Sequence, residues 1–255
     1  MNNIKKLIEQ WKKEEKIPFY GWDFSYLKGR LKEEKLPWDY EAISKKLIKK
    51  SKSVIDMGTG GGEIFSTLSP FPSHAVATEG YKPNYYIAKK RLEPLGVKVV
   101  DFEDSDVGKM PFENEEFDLV LNRHDAFNSK EVYRILKKNG VFLTQQVGGG
   151  NLQDLINEFK ATTGLKEWTL SSIKKDLQKA GFKIIKANEW KGHMQFKDVC
   201  ALVYYLKSVP WVVEGFSVSK HIKYLKKLQR KIDSGEKLIY TSVRYLVLAE
   251  KYSKP

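Results

Sequence analysis

Apolar residues fall into short runs separated by stretches with helical periodicity, and that alternation organises the chain. Val54-Ile55-Asp56-Met57, His74-Ala75-Val76-Ala77-Thr78-Glu79, Val97-Lys98-Val99-Val100 and Phe117-Asp118-Leu119-Val120-Leu121 read as strands of a buried parallel sheet. Between the second and third, Pro83 opens a helical stretch to Leu95, with Tyr86, Ile87, Lys90 and Arg91 at helical spacing. Glu131 to Lys138 reads as a helix leading into a fifth strand through Val141-Phe142-Leu143 to Gln145 and Gln146. Leu170 to Ala180 is a further helix, stopped by Gly181, before a strand at Phe182-Lys183-Ile184-Ile185-Lys186-Ala187. The last strand is Ser242 to Ala249. Strands alternating with helices predict an α/β domain.

Two segments stand outside this pattern. At the N-terminus, Ile4, Leu7, Ile8 and Trp11 share one helical face, and an aromatic cluster follows from Pro18 to Tyr26, with Pro37-Trp38-Asp39-Tyr40 before the helix that leads into the first strand. Residues 1–50 are therefore expected to pack on the core. Between the last two strands, residues 191–236 carry an apolar run, Val209-Pro210-Trp211 and a basic amphipathic helix from about Ser219 to Ile232. They are expected to form a helical cap on a core made of 51–190 plus 237–255.

The chemistry concentrates where the first strand ends, at Asp56-Met57-Gly58-Thr59-Gly60-Gly61-Gly62-Glu63. Alternate glycines permit a tight turn and let a ligand approach the main chain. The order is not the G-x-G-x-x-G of a dinucleotide fingerprint, and no Lys-Ser/Thr of a phosphate loop follows. Glu79 ends the second strand 23 residues beyond Asp56, where a carboxylate accepts hydrogen bonds from ribose hydroxyls in Rossmann-like folds.

The D-x-G-x-G-x-G order resembles motif I of the class I S-adenosylmethionine (SAM) methyltransferases. Met110-Pro111-Phe112 through Phe117-Asp118-Leu119-Val120 is similar to the "LPF…FDLV" segment of the ubiquinone/menaquinone-biosynthesis type, and Ile135 to Leu143 to its helix-to-strand turn. Asn139 stands where that family has glycine, a mild departure because Asn tolerates left-handed backbone. The late helix and strand around Gly181-Phe182 also match the family.

The resemblance implies a Rossmann-like seven-stranded sheet with strand order 3-2-1-4-5-7-6, a SAM-dependent methyltransferase activity and S-adenosylhomocysteine (SAH) as product. Carried onto this chain, it makes Asp56, Gly58, Thr59, Gly60, Gly62, Glu79, Gly80, Tyr81, Glu103, Asp104, Asn122 and Arg123 the expected cofactor contacts. His124 and Asp125, just past the fourth strand, are candidates for a general base, His124 suited to take a proton near neutral pH with Asp125 orienting it or acting alone. Tyr20, Trp38, Gln145, Gln146, Tyr204, Tyr205 and Trp211 are candidate walls of an acceptor pocket.

Composition narrows the rest. A chain of 255 residues suits one large α/β domain with an added cap, and a lone cysteine, Cys200, excludes an internal disulfide or a cysteine-rich zinc site. No metal is expected. The N-terminal residues lack a secretory apolar core and no long apolar run exists, so a cytoplasmic location and no membrane span are expected. The net charge of +13 admits nucleic acid, but it comes from 39 Lys against 6 Arg, scattered on solvated helix faces. A small-molecule acceptor is the leading expectation; an RNA methyltransferase and a non-catalytic SAM-binding module are the alternatives.

Overall fold

The computed structural model describes residues 2–102, 109–162 and 167–252. Its frame is one mixed sheet. Strands β1 (Leu31–Glu33), β2 (Ser53–Met57), β3 (His74–Glu79), β4 (Val97–Asp101), β5 (Phe117–Arg123), β6 (Leu136–Val147), β7 (Phe182–Phe196) and β8 (Leu238–Lys251) lie in the order β1-β7-β8-β6-β5-β2-β3-β4. Without β1, this is the expected 3-2-1-4-5-7-6 arrangement. The eighth strand, not anticipated from the pattern, comes from the N-terminal segment and pairs antiparallel with the edge of β7, Leu31 opposite Phe196.

Every side chain of β2 is buried, as a central parallel strand covered on both faces requires. One face of the sheet carries Ile55, Val120, Phe117 and Phe142 against Phe127, Ile135, Leu177 and Phe182. The other carries Val54, Leu119, Leu121, Leu143 and Leu246 against Tyr40, Ile48, Phe65, Ala88 and Leu92. On that second face lie α2 (Tyr40–Ile48), whose N-terminus is capped by the Asp39 carboxylate accepting from Ala42 N at 2.9 Å, and α4 (Lys82–Leu92), which begins with Pro83 in its first turn.

The helix expected over 131–138 is shorter and earlier. Helix α5 (Ser129–Ile135) starts at Asn128, whose side chain accepts from the Lys130 and Glu131 amides, and stops because Leu136 already pairs with Phe117. Asn139 adopts φ 61°, the left-handed turn anticipated for it. The last two strands are much longer than their sequence signals. Beyond a bulge between Ile184 and Lys186, β7 and β8 pair from Phe182 opposite Lys251 to Phe196 opposite Leu238, so strand structure continues well past residue 191.

Helices α8 (Val199–Ser208) and α9 (Val218–Asp233) fill the interval between these strands. With α1 (Asn2–Glu15), they bury a third cluster built on Trp11, Leu27, Leu202, Leu206, Leu225, Leu228 and Phe196. An ion network fastens the N-terminal segment there: the Arg30 guanidinium donates to both Asp198 oxygens, Nε at 3.0 Å and Nη2 at 2.8 Å, and to Glu14 at 2.8 Å. Burial works to raise the Asp198 carboxyl, but hydrogen bonds from Arg30 and the Ala201 amide outweigh it and hold its pKa below the ordinary value. No helix among the described residues is long and apolar enough to cross a membrane.

Candidate functional site

The glycine loop leaves β2 at the carboxyl edge of the sheet, where an open α/β fold places its ligands. Gly58, Gly60 and Gly62 adopt φ of 60°, 64° and 76°, a left-handed region that L side chains adopt at a cost. The loop is pinned from β3, with Thr59 N donating to Thr78 O at 2.9 Å and Gly58 N to the Thr78 hydroxyl at 3.2 Å. Arg91 reaches from α4 to the Gly61 carbonyl and the Glu63 carboxylate.

Its surroundings leave no room for side chains. A Cβ on Gly58 would overlap the Asp125 carboxylate, one on Gly60 would sit 2.5 Å from Trp22 Cδ1, and one on Gly62 would sit 2.8 Å from Leu92. The Thr59 hydroxyl is buried and has no hydrogen-bond partner among the described residues, a cost of about 1–3 kcal/mol unless a ligand supplies one. Glu79 closes β3 at the same edge, 7 % exposed, one oxygen accepting from Tyr81 N at 2.8 Å. A side-chain-free cradle, an unpaired buried hydroxyl and a carboxylate on the neighbouring strand suit a cofactor with a polar end and a ribose. Asp56 is buried beside them. Gly80 is half-buried and the Tyr81 ring points to solvent, while Glu103 and Asp104 lie outside the described residues.

The end of β5 divides its four candidates between different environments. Asn122 is fully buried, its Oδ1 accepting from Thr144 Oγ1 at 2.9 Å and Gln146 Nε2 at 2.5 Å, and its Nδ2 is without a partner among the described residues. Gln146 also donates to Asp125 O at 2.9 Å. Asn122 and Gln146 thus form a network inside the sheet, and Gln146 is not an open polar group at the edge. Arg123 emerges on the opposite face, in line with Leu119 and Leu121.

His124 has φ 62°, unusual for a residue with a Cβ and held by its amide donating to Gln145 O at 2.8 Å. A hydrogen-bonded chain sets its ring. The Trp38 indole, which can only donate, gives its Nε1 hydrogen to Gln145 Oε1 at 2.7 Å, so the Gln145 amide nitrogen is the group facing His124 Nε2 at 3.1 Å. That nitrogen donates, so Nε2 accepts and the ring proton sits on Nδ1. His124 is exposed by its accessible surface, but protein packed around it disfavours the charged imidazole. That enclosure first, then the charges of Arg123 and Arg244, hold its pKa well below the ordinary value, and it is neutral at pH 7. Gln145 orients His124, the place expected for Asp125, whose carboxylate stands instead against Gly58.

The remaining aromatic candidates separate as sharply. Tyr204 and Tyr205, 3 % and 8 % exposed, are packing residues: Tyr204 lies 4.6 Å from the Tyr26 ring, and Tyr205 5.2 Å from Phe196 and 5.8 Å from Phe24. Burial drives both hydroxyls above their ordinary pKa. Trp211 is half exposed, 5.8 Å from Trp22, and Tyr20 is 64 % exposed. Trp22 was legible as part of an aromatic cluster, but its position over Gly60 was not. Also missed was Arg244, 7 % exposed on β8, its Nη2 paired with Glu33 at 2.7 Å and its Nη1 with Asn151 at 2.6 Å. A lone arginine inside the apolar run of the last strand was the available signal.

Comparison with known proteins agrees with this geometry. A family model described as a methyltransferase domain matches residues 48–198, more than half the chain. The uncharacterized methyltransferase YcgJ of Bacillus subtilis (strain 168) is 28 % identical over 97 residues, covering 35 % of this chain and 38 % of its own. A protein-L-isoaspartate O-methyltransferase of Alcanivorax borkumensis is 28 % identical over 140 residues, 54 % of this chain and 64 % of its own. The chain therefore spans less than two thirds of the length of either relative. In three dimensions it resembles a Bacillus halodurans C-125 protein assigned as a methyltransferase, with TM-score 0.62 and 20 % identity over 84 % of this chain and 99 % of that one. The YcgJ structure gives 0.58 and 17 % over 84 % and 100 %. At these identities the structures speak for the fold alone, and it is the family model, laid over the glycine loop, that decides: the chain belongs to the methyltransferase-domain family of class I enzymes, whose methyl donor is SAM.

Proposed function

We propose that this protein transfers a methyl group from SAM to a nucleophilic atom of a small-molecule acceptor held at the carboxyl edge of β5 and β6. The observation that carries the reading is the cradle of Gly58, Gly60 and Gly62, left-handed at each position and closed to any side chain, with Glu79 at the adjacent strand end. Glu79 would hold the ribose hydroxyls, and the loop amides and Thr59 hydroxyl the amino-acid end. The cofactor supplies an electrophilic methyl on a positive sulfonium.

This chain's own contribution is positioning. Trp38, Gln145 and His124 form a fixed wall beside the loop, and His124 presents Nδ1–H. It is therefore a donor that orients the acceptor. It takes a proton at Nε2 only after Gln145 turns away. A small acceptor suits this edge because the aromatic N-terminal segment covers the neighbouring glycine loop, with Gly21 N donating to Asn84 Oδ1 at 3.0 Å and Trp22 over Gly60, which narrows the approach from that side.

Calorimetric titration with SAM, SAH and NADH tests the cofactor, followed by transfer of labelled methyl from SAM to small molecules and to RNA. Binding of SAM and SAH without NADH is expected, and Glu79→Ala should weaken it by at least about tenfold, the loss of charge-assisted bonds worth roughly 1.5–3 kcal/mol. Wild-type protein that ignores SAM and SAH would sink the reading, and methyl uptake by RNA alone would sink its acceptor class.

A further inference from the structure

Arg123 poses an energetic problem that the fold does not solve. Its side chain is half-buried on the face of the sheet that carries α2. Among the described residues its guanidinium makes no hydrogen bond and no ion pair within 4.0 Å. Burial lowers its pKa, Arg244 adds to that, and Tyr40, Asp56 and Glu41 oppose it only through charge at longer range. A cation drawn even partly out of water without a partner loses hydration that nothing in the fold returns, which leaves it available to an anionic ligand. Every other arginine named here is satisfied: Arg30, Arg91, Arg134 and Arg244 all hold carboxylates.

Its place is equally specific. Arg123 pairs across the sheet with Gln145, the residue that orients His124. Gln145 in turn pairs with Leu246 on β8, and Arg244 stands two residues along that strand. Arg123 is thus placed beside Gln145 on the face that carries Tyr40, close enough for its charge to act on His124. Arg244 is paired with Glu33 at 2.7 Å, so of these two arginines Arg123 is the one without a carboxylate among the described residues.

We propose that Arg123 is the anion-recognition residue of the acceptor site and that the acceptor carries a carboxylate. A guanidinium presents two parallel N–H donors that match the two oxygens of a carboxylate. With a single unpaired guanidinium at this place among the described residues, a monoanionic organic acid fits better than a phosphate dianion. The inference rests on the methyl-transfer reading and names the substrate class of that same site.

The test uses SAH-saturated full-length protein and a matched pair of probes, benzoate and its uncharged isostere benzamide, with phenyl phosphate as a third arm, followed by ligand-observed NMR titration. Benzoate is expected to bind at least about tenfold more tightly than benzamide, and Arg123→Gln is expected to erase the difference while Arg123→Lys keeps part of it. Because the guanidinium is unpaired, Arg123→Gln should not lower Tm. Four results would overturn the inference: no preference for benzoate in the wild type, a preference that survives Arg123→Gln, a preference for phenyl phosphate over benzoate, or a large fall in Tm showing that Arg123 holds the fold together. Arg123→Gln that weakens SAH but not methylthioadenosine, which lacks the amino-acid carboxylate, would assign Arg123 to the cofactor instead. Wild-type protein that fails to bind SAH would condemn the methyl-transfer reading itself, a result distinguishable from all of these.

Discussion

Replacing Gly60 with alanine separates two costs that the glycine loop avoids. The first is backbone: at φ 64° an L residue carries a penalty of roughly 1–2 kcal/mol. The second is contact, because the new Cβ would stand 2.5 Å from Trp22 Cδ1 and the indole would have to move. Trp22 is 43 % exposed and can move, but turning aside from Gly60 loosens its ring contacts with Phe19 at 5.7 Å and Trp211 at 5.8 Å, a loss equivalent to about one aromatic pair. An aromatic pair is worth about 0.5–1.5 kcal/mol, so the total should be about 2–3 kcal/mol. For a chain of this size that is a fall in Tm of roughly 4–12 °C.

In a Trp22→Ala background only the backbone cost remains. A double-mutant cycle on Tm and on urea unfolding should therefore return a coupling of about 1 kcal/mol between positions 22 and 60. SAH affinity, read by calorimetry, should fall for Gly60→Ala in both backgrounds, since the methyl group fills the cradle whether or not the indole covers it. Equal Tm for Gly60→Ala and wild type would refute the strain argument. Additivity of the two substitutions would show that Trp22 does not rest on the loop, and unchanged SAH affinity would remove the loop from the cofactor site.

Two further predictions concern the supports of the site. Asp198 both caps α8, accepting from Ala201 N at 2.7 Å, and anchors Arg30, so Asp198→Ala should lower the urea midpoint more than Asp198→Asn, which keeps the capping oxygen worth about 1 kcal/mol; equal midpoints would mean that the cap contributes nothing. The folded protein holds His124 neutral by depressing its pKa, so stability associated with it is complete above the unfolded value near 6.5 and declines as pH falls below that. His124→Gln should flatten the decline in unfolding free energy between pH 6.5 and 5, and parallel profiles for the two proteins would contradict the assigned environment.

The cofactor half of the site was legible because its chemistry is local. Asp56, Gly58, Gly60 and Gly62 sit on one turn, and Glu79 follows on the next strand at the spacing of a single strand-helix-strand unit, so spacing together with the family resemblance places them at one edge of the sheet. The same locality exposed α4 through Pro83 and the left-handed turn through Asn139. Boundaries decided by pairing were less visible. Helix α5 ends at Ile135 because Leu136 meets Phe117, and β7 runs to Phe196 because Leu238 lies opposite, neither of which a single segment announces. Tyr204 and Tyr205 looked like pocket walls for the same reason: the segment that buries them, Phe19 to Tyr26, lies far away in the chain.

The acceptor half was legible only in part: Trp38, Gln145 and His124 could be named from the chain, but the charges around them could not, for a topological reason. The last strand of the chain, β8, inserts between β6 and β7 rather than at an edge, so Arg244 enters the middle of the sheet beside residues a hundred positions earlier. The N-terminal segment meets it from the other direction: Glu33 of β1 takes both the Arg244 guanidinium and the Ser242 hydroxyl, the latter at 2.6 Å. By binding Arg244, Glu33 removes one of two positive charges from the edge and leaves Arg123 as the cation to be matched. The charge presented to an acceptor is thus set jointly by the first strand, the end of β5 and the last strand. A change at Glu33, distant in sequence from every motif of the family, would release the Arg244 charge and shift the edge toward acceptors bearing more negative charge.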